Sequence, residues 1–415
     1  MKFMRVLIRS IFFTILTLDI AAFAMIAYLN ITVSEDYKIK KGDPLKIHSA
    51  VPITAVYEGS RFSQTGKKNN IGEEFKVDLK AFGIIPFSTV NVEVVDELQV
   101  AVLGTPFGMK LYTEGVLVID MTDVETDSGN INPAKEAGIK KGDYIVSVDG
   151  RKITTNEELC AAVEASAGNE MKFELKRNGK TKIIRFCAAY SKETESYKIG
   201  LWVRDSSAGI GTLTFYSPAT GVVCGLGHGV CDEDTEELLK LDSGELVTAE
   251  IISVEKGDSG SPGQLKGKFT YGTVGEINLN NENGVYSILK GKLNLSNLTE
   301  IALKQEVNDG EAQLLCTVNG NSPKLYSCRI KKRSSAYLSA TQNLIVTVTD
   351  GELLNTTGGI VQGMSGSPIL QNGRLIGAIT HVLVDDPTTG YAIFAENMLE
   401  TAQSVANSEK LRDAS

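Results

Sequence analysis

Two serines of this chain sit in glycine-framed turns that read almost alike, and only His48, His228 and His381 could serve either of them as a base. The turns are Gly257-Asp258-Ser259-Gly260-Ser261-Pro262 and Gly363-Met364-Ser365-Gly366-Ser367-Pro368. A constant offset of 106 residues joins them, and it also carries Gly267, Lys268 and Gly284 onto Gly373, Arg374 and Gly390. A G-x-S-G turn suits nucleophilic catalysis because glycine lets the backbone fold sharply. The serine hydroxyl is then exposed while two N–H groups converge where an oxyanion would form. The chemistry on offer is acyl transfer with a serine nucleophile and a histidine base.

The repeat implies two related β-units, each with a serine-bearing turn followed by a hairpin. His228 lies in Gly225-Leu226-Gly227-His228-Gly229, a loop able to present an imidazole. If base and nucleophile come from facing units of a double barrel, a long stretch must separate them. From His228 to Ser365 there are 137 residues, and to Ser259 only 31. Ser365 is therefore the expected nucleophile and Ser259 its structural counterpart, although the first turn on its own reads more like that of trypsin. The N–H groups of Gly363 and Ser365 would form the oxyanion hole. The orienting acid stays open on these grounds. Asp350 ends a strand expected over Leu344 to Thr349 and precedes Ser365 by 15 residues, while Asp232, Asp234 and Asp258 compete. Singly, each residue has a plainer reading as a turn serine, a loop histidine or a strand-end cap. His381, on the strand after the nucleophile, either lines the cleft or is structural.

The elements that position these groups are mostly β. With 40 Gly, 13 Tyr and short apolar runs broken by turn residues, the chain after its amino terminus is expected to be β-rich, and from about Ile199 to form one or two barrels. Its 415 residues allow two or three domains. A net charge of −9 without basic clusters argues against nucleic acid as a partner. Ile11 to Leu29 is nearly all apolar and is preceded by Lys2, Arg5 and Arg9. That pattern predicts a membrane anchor over 10–29, a cytoplasmic amino terminus over 1–9 and an extracytoplasmic remainder. Asp19 within the run works against insertion, and Ala21-Ala22-Phe23-Ala24 offers a signal-peptide cleavage site as the alternative. A tether and β-rich segment without a functional reading follow over 30–97. The six cysteines show no CxxC pair, and no metal or other cofactor is expected. Cys316 and Cys328 flank a turn, so a bridge across a hairpin is conceivable.

Within 98–192 the string Ala137-Gly138-Ile139-Lys140-Lys141-Gly142-Asp143-Tyr144-Ile145 resembles the PDZ domains attached to bacterial proteases of the HtrA and tail-specific families. Thr155 and Glu158 predict a capping box for a helix to about Ala165, and Asp149-Gly150 a hairpin tip. A PDZ groove takes an extended peptide as an added strand and holds its carboxylate on a glycine-containing loop. Phe107-Gly108-Met109-Lys110-Leu111 is the expected loop.

The residues Gly358 to Ile369, Gln371 to Val382 and Asp386 to Tyr391 closely resemble the stage IV sporulation protein B peptidase family, and the likeness takes in the anchor, Phe82 to Pro86, Val90 to Val92 and the PDZ module. It implies a serine endopeptidase with a chymotrypsin-like double β-barrel over 193–415. The enzyme would be self-cleaving near its anchor and exported to the space between the two membranes around the forespore. It would cut a membrane-bound inhibitor complex, permitting processing of a sigma-factor precursor. By motif, His228 would be the base, Asp350 the acid and Ser365 the nucleophile. An acid so near the serine departs from the usual chymotrypsin-like order. The rival reading is a non-catalytic PDZ scaffold whose protease domain is inactive.

Overall fold

The computed structural model describes residues 2–47, 49–57, 70–289, 297–333 and 339–413, so His48 lies outside the described residues. Helix α1 (Lys2–Thr32) contains, from Ser10 to Thr32, the one stretch among these residues long and apolar enough to cross a membrane. Its 23 residues exceed the roughly 20 needed to span hydrocarbon. Strands β1 (Asp36–Lys40), β2 (Ile53–Tyr57), β3 (Glu74–Ala81) and β4 (Ile85–Val95) follow as one sheet in the order β1-β4-β3-β2. Alternate residues Val77, Leu79, Val90, Val92 and Val94 turn inward, where Val33, Tyr37 and Ile39 join them. Lys40 pairs with Glu300 and Glu306, and Lys38 with Glu400, which ties this sheet to the rest of the molecule.

Strand β5 (Pro106–Met121) serves two cores. Its second half begins a compact unit with β6 (Tyr144–Val148), α2 (Asn156–Ala165), β7 (Glu170–Arg177) and β8 (Lys180–Cys187), the strands lying in the order β8-β7-β6-β5. Val116, Val118, Ile145, Leu159, Val163 and Phe173 close its interior. The predicted capping box opens α2: Glu158 N–H donates to Thr155 Oγ1 at 3.2 Å, and Thr155 N–H to the Glu158 carboxylate at 3.2 Å. The hairpin tip at Asp149-Gly150 has both residues at positive φ, 49° and 79°.

Strand β9 (Leu201–Ser217) returns antiparallel along β5, from Leu201 opposite Met121 to Thr212 opposite Pro106. Strands β10 (Val222–Gly225), β11 (Leu241–Glu255), β12 (Gln264–Asn281) and β13 (Gly284–Leu289) complete a ring in the order β5-β11-β12-β13-β10-β9, with β9 pairing back to β5. Phe107, Met109 and Leu111 of β5 fill this first barrel with Tyr216, Val223, Leu246 and Ile277. The unit around α2 is thus spliced between the first two strands of the first barrel, so the expected division at 192/193 does not coincide with a break between cores. It also corrects one expectation. Phe107 to Leu111 is no loop: every one of its residues is paired with β9 on one side and β11 on the other, leaving no edge for a peptide.

The second barrel closes through β14 (Gly310–Cys316), β15 (Lys324–Lys332), β16 (Leu344–Val348), β17 (Pro368–Gln371), β18 (Arg374–Leu383) and β19 (Asp386–Phe394), with α3 (Gly351–Thr357) between β16 and β17. Cys316 and Cys328 lie in its core as free thiols, out of register with each other, so the conceivable hairpin bridge is absent. Helix α4 (Ala395–Asp413) lays Met398, Leu399, Ala402, Val405 and Ala406 on one face across both barrels, against Phe215 and Tyr286 of the first and Leu375 and Ile393 of the second.

Candidate active site

The two barrels meet where β9 and the His228 loop of the first press on the Ser365 turn of the second. Thr212 N–H donates to the Ser365 carbonyl at 3.0 Å, its hydroxyl to the Gly363 carbonyl at 2.9 Å, and the Thr214 hydroxyl to the Gly366 carbonyl at 2.7 Å. Gly366, at φ 91°, leaves no room for a side chain: a Cβ there would stand 2.0 Å from the Thr212 carbonyl oxygen and 2.4 Å from the Leu226 nitrogen. Gly227 is held less closely, its Cβ position 2.9 Å from an Ile393 methyl and 3.1 Å from the Thr380 methyl. The loop that carries His228 and the turn that carries Ser365 are therefore packed backbone to backbone.

The His228 ring lies 4.7 Å, centroid to centroid, from that of His381. Its Nδ1 is 2.8 Å from the Gly229 carbonyl oxygen. A carbonyl only accepts, so Nδ1 carries the proton and Nε2 keeps its lone pair, the tautomer a general base needs. The Ser365 hydroxyl donates at 2.9 Å to the carbonyl of Thr380, the residue before His381. The N–H groups of Gly363 and Ser365 make no hydrogen bond among the described residues, and Gly363 sits at φ 95°. They remain available for an oxyanion beside the hydroxyl.

The first serine turn differs in what surrounds it. Ser259 is exposed and donates to the Asp385 carbonyl at 2.9 Å, while its N–H is taken by Asp258 and the N–H of Gly257 by the Thr357 carbonyl. Both would-be oxyanion donors are spent. The turn clasps the second barrel.

None of the candidate acids accepts from His228. Asp350 caps α3, its carboxylate taking the N–H groups of Glu352, Leu353 and Ser327 at 3.0, 3.1 and 3.2 Å. The Leu353 bond leads in holding that carboxyl below its ordinary range. Asp232 and Asp234 pair with Arg204, and Asp258 exchanges backbone hydrogen bonds with Ser261. The backbone of Asn281, at the β12–β13 turn, packs on Gly229, and the residues of that turn are Asn281, Glu282 and Asn283. The group that orients the imidazole is the Gly229 carbonyl, which no reading of side-chain motifs could have found.

Burial lowers the His228 pKa against an opposing push from the Gly229 hydrogen bond. Desolvation and the neighbouring His228 bring His381 down to about 4, although the residue as a whole is exposed. Both rings are thus neutral in the folded state at neutral pH.

The groove of the α2 unit is also defined. Between β5 and α2 the open edge of β5 is taken by the chain itself: Leu201 to Arg204 pair with Met121 to Leu117, Leu201 and Val203 pack on the unit's core, and Asp205 accepts the N–H of Asn156 at the start of α2 at 2.9 Å. Inside β5, where its first half gives way to its second, the backbone takes a positive φ of 91° at Gly115. A glycine directly before the apolar run Val116 to Ile119 was the sequence signal for it.

A double barrel with a glycine-framed serine beside an imidazole, and a PDZ unit spliced into it, defines a serine-type peptidase carrying a PDZ domain. Residues 195–399 match the family model described as SpoIVB peptidase S55, and residues 101–185 that of the PDZ domain; the chain belongs to the SpoIVB peptidase family. It is similar to the zinc metalloprotease RasP of Geobacillus kaustophilus, 24% identical over 158 residues that make up 36% of this chain and 37% of that protein. It is also similar to the regulator of sigma-W protease RasP of Bacillus subtilis, 36% identical over 75 residues, 18% of this chain and 17% of that protein. The chain spans well under half the length of the curated relatives it matches. Among solved structures, the active form of the Rv3671c protease from M. tuberculosis matches 47% of this chain and 72% of its own, at 15% identity and a TM-score of 0.26.

Two outcomes are expected. Asn caps a helix as well as Asp does, whereas loss of a triad carboxylate slows catalysis by about 10⁴-fold. Asp350→Asn should therefore leave fluorophosphonate labelling within a few fold of the parent rate, and a loss of that larger size would make Asp350 the orienting acid. The lowered pKa of His228 keeps it unprotonated below the ordinary value of 6.5, so the acid limb of the labelling rate should lie below pH 6.5. A limb at or above that pH would contradict the assignment of the base.

Proposed function

We propose that this chain is a membrane-anchored serine endopeptidase in which Ser365 is the nucleophile and His228 the general base. The observation that carries the reading is the contrast between the two serine turns. Only the second leaves its hydroxyl beside an imidazole loop with both flanking N–H groups unspent. In the reaction, the Ser365 hydroxyl turns from the Thr380 carbonyl toward Nε2 of His228 and attacks a peptide carbonyl as its proton passes to that nitrogen. The tetrahedral oxyanion rests on the N–H groups of Gly363 and Ser365. Nε2 then protonates the leaving amine, and water repeats the sequence to release the acyl group. The Gly229 carbonyl holds Nδ1–H throughout, in the place where a carboxylate more often stands.

Membership of the SpoIVB family supports the finer reading of substrates and place. The enzyme would work outside the cytoplasm, between the membranes around a developing forespore, with α1 as its anchor. It would cut itself near that anchor and then a membrane-bound inhibitor complex, releasing the processing of a sigma-factor precursor. The PDZ unit would hold back the enzyme through its filled groove. A peptide enters only by displacing Leu201 to Arg204, and the same strand, farther along, braces the Ser365 turn through Thr212 and Thr214. The resting hydrogen bond of Ser365 to Thr380, and a His228 that meets no carboxylate among the described residues, are also what an inactive scaffold would show.

Fluorophosphonate labelling of the full chain separates the readings. Ser365→Ala should abolish label and self-cleavage while circular dichroism is unchanged, and Ser259→Ala should retain both. Label that survives in Ser365→Ala but is lost in Ser259→Ala would move the site to the first turn, and a folded parent chain without label would favour the scaffold. For the groove, Val203→Asp should loosen the internal strand and raise the affinity for an apolar carboxyl-terminal peptide by about tenfold or more. Equal affinity in parent and variant would show that the strand does not compete with peptide.

A further inference from the structure

The hairpin between β3 and β4 has no part in the chemistry above. Phe82 and Gly83 turn it tightly at φ 52° and 72°, and a left-handed phenylalanine is uncommon enough to call for a reason. Its tip is apolar and open, with Ile84 80%, Phe82 56% and Ile85 36% exposed and Pro86 beside them. No charged residue occurs between Lys80 and Glu93. Single exposed apolar side chains are ordinary on a soluble surface, but a cluster of them at one protruding tip is not.

The register shows where the tip points. β1 leaves α1 after a short link and runs parallel to β4, Asp36 opposite Asn91 and Lys40 opposite Val95. Ile85 to Val90 therefore extend back past the start of β1, on the side from which the helix arrives, by about 20 Å at ~3.3 Å per residue. The helix lies against β4. The covered residues at its end are Ala22, Met25, Ile26, Ala27 and Leu29, with Val33 just beyond it; Ala22, Met25, Leu29 and Val33 fall on one face at spacings of three and four, and Leu29 is fully buried.

We propose that the tip Phe82–Pro86 is a second membrane contact, placing its apolar side chains in the interfacial layer of the bilayer that α1 spans. Lys80, opposite Pro86 in the ladder, stands one step behind the tip, where a lipid phosphate would lie. The inference rests on reading α1 as an anchor. Continuity with that helix and the uncharged run favour lipid over a protein partner. Held at two points, the sheet cannot swivel about the link to α1, and the ion pairs of Lys38 and Lys40 pass its orientation on to the protease.

The single tryptophan, Trp202, makes a fluorescence test direct. The full chain carrying Trp202→Phe and Ile84→Trp would be reconstituted into phosphatidylcholine–phosphatidylglycerol vesicles with or without brominated acyl chains. A residue seated about 5–10 Å into the interface should show blue-shifted emission, quenched about twofold by the bromines. The parent chain reports Trp202, 60% exposed, as the reference for an indole in water. Emission like that reference, unquenched, from a chain that still floats with the vesicles and resists carbonate extraction would overturn the hairpin contact and leave the anchor standing. A chain that fails to float would overturn the anchor itself, and the hairpin contact with it.

Discussion

One seam between the barrels decides what this chain can do. There the carbonyl of Thr212 and the nitrogen of Leu226 lie so near Gly366 that no side chain fits at that position. The approach is made by backbone alone, and so it fixes the loop of His228 against the turn of Ser365 without relying on long, mobile side chains. The threonine hydroxyls of β9 finish the seam by bonding carbonyls on either side of Ser365. The active site proposed above, assembled from two barrels, needs such a joint, because neither barrel holds both Ser365 and His228.

The same strand joins this seam to the PDZ unit. β9 fills the groove of the PDZ unit at one end and braces the Ser365 turn at the other, so whatever happens in the groove acts on a continuous element that reaches the proposed site. Splicing the PDZ unit into the first barrel, in place of a flexible linker, makes that connection short and stiff. The arrangement is a physical basis for coupling, a two-ended strand that both sites can bias.

Much of this was legible in the residues. The repeat at 106 located both serine turns, the chain distance from His228 separated them, and the cap at Thr155 placed α2. The rest was hidden for particular reasons. Whether an N–H is free depends on what lies across from it in space, and the carbonyl of Thr357 that occupies Gly257 comes from the other barrel. Asp350 was offered as the acid by the family likeness and by its place at the end of a strand, yet a helix begins there and takes its carboxylate. Phe107 to Leu111 looked like a loop because Gly108 interrupts it. That glycine is there because Phe269 and Val247 occupy the space its side chain would need.

A crystal structure of the phosphonylated full chain would test the central claim most directly. The account requires the phosphorus on Ser365 Oγ, one phosphonyl oxygen held by the N–H groups of Gly363 and Ser365, and Nε2 of His228 within about 3 Å of the ester oxygen. An adduct on Ser259, or a phosphonyl group on Ser365 turned away from both N–H groups with His228 out of reach, would contradict it.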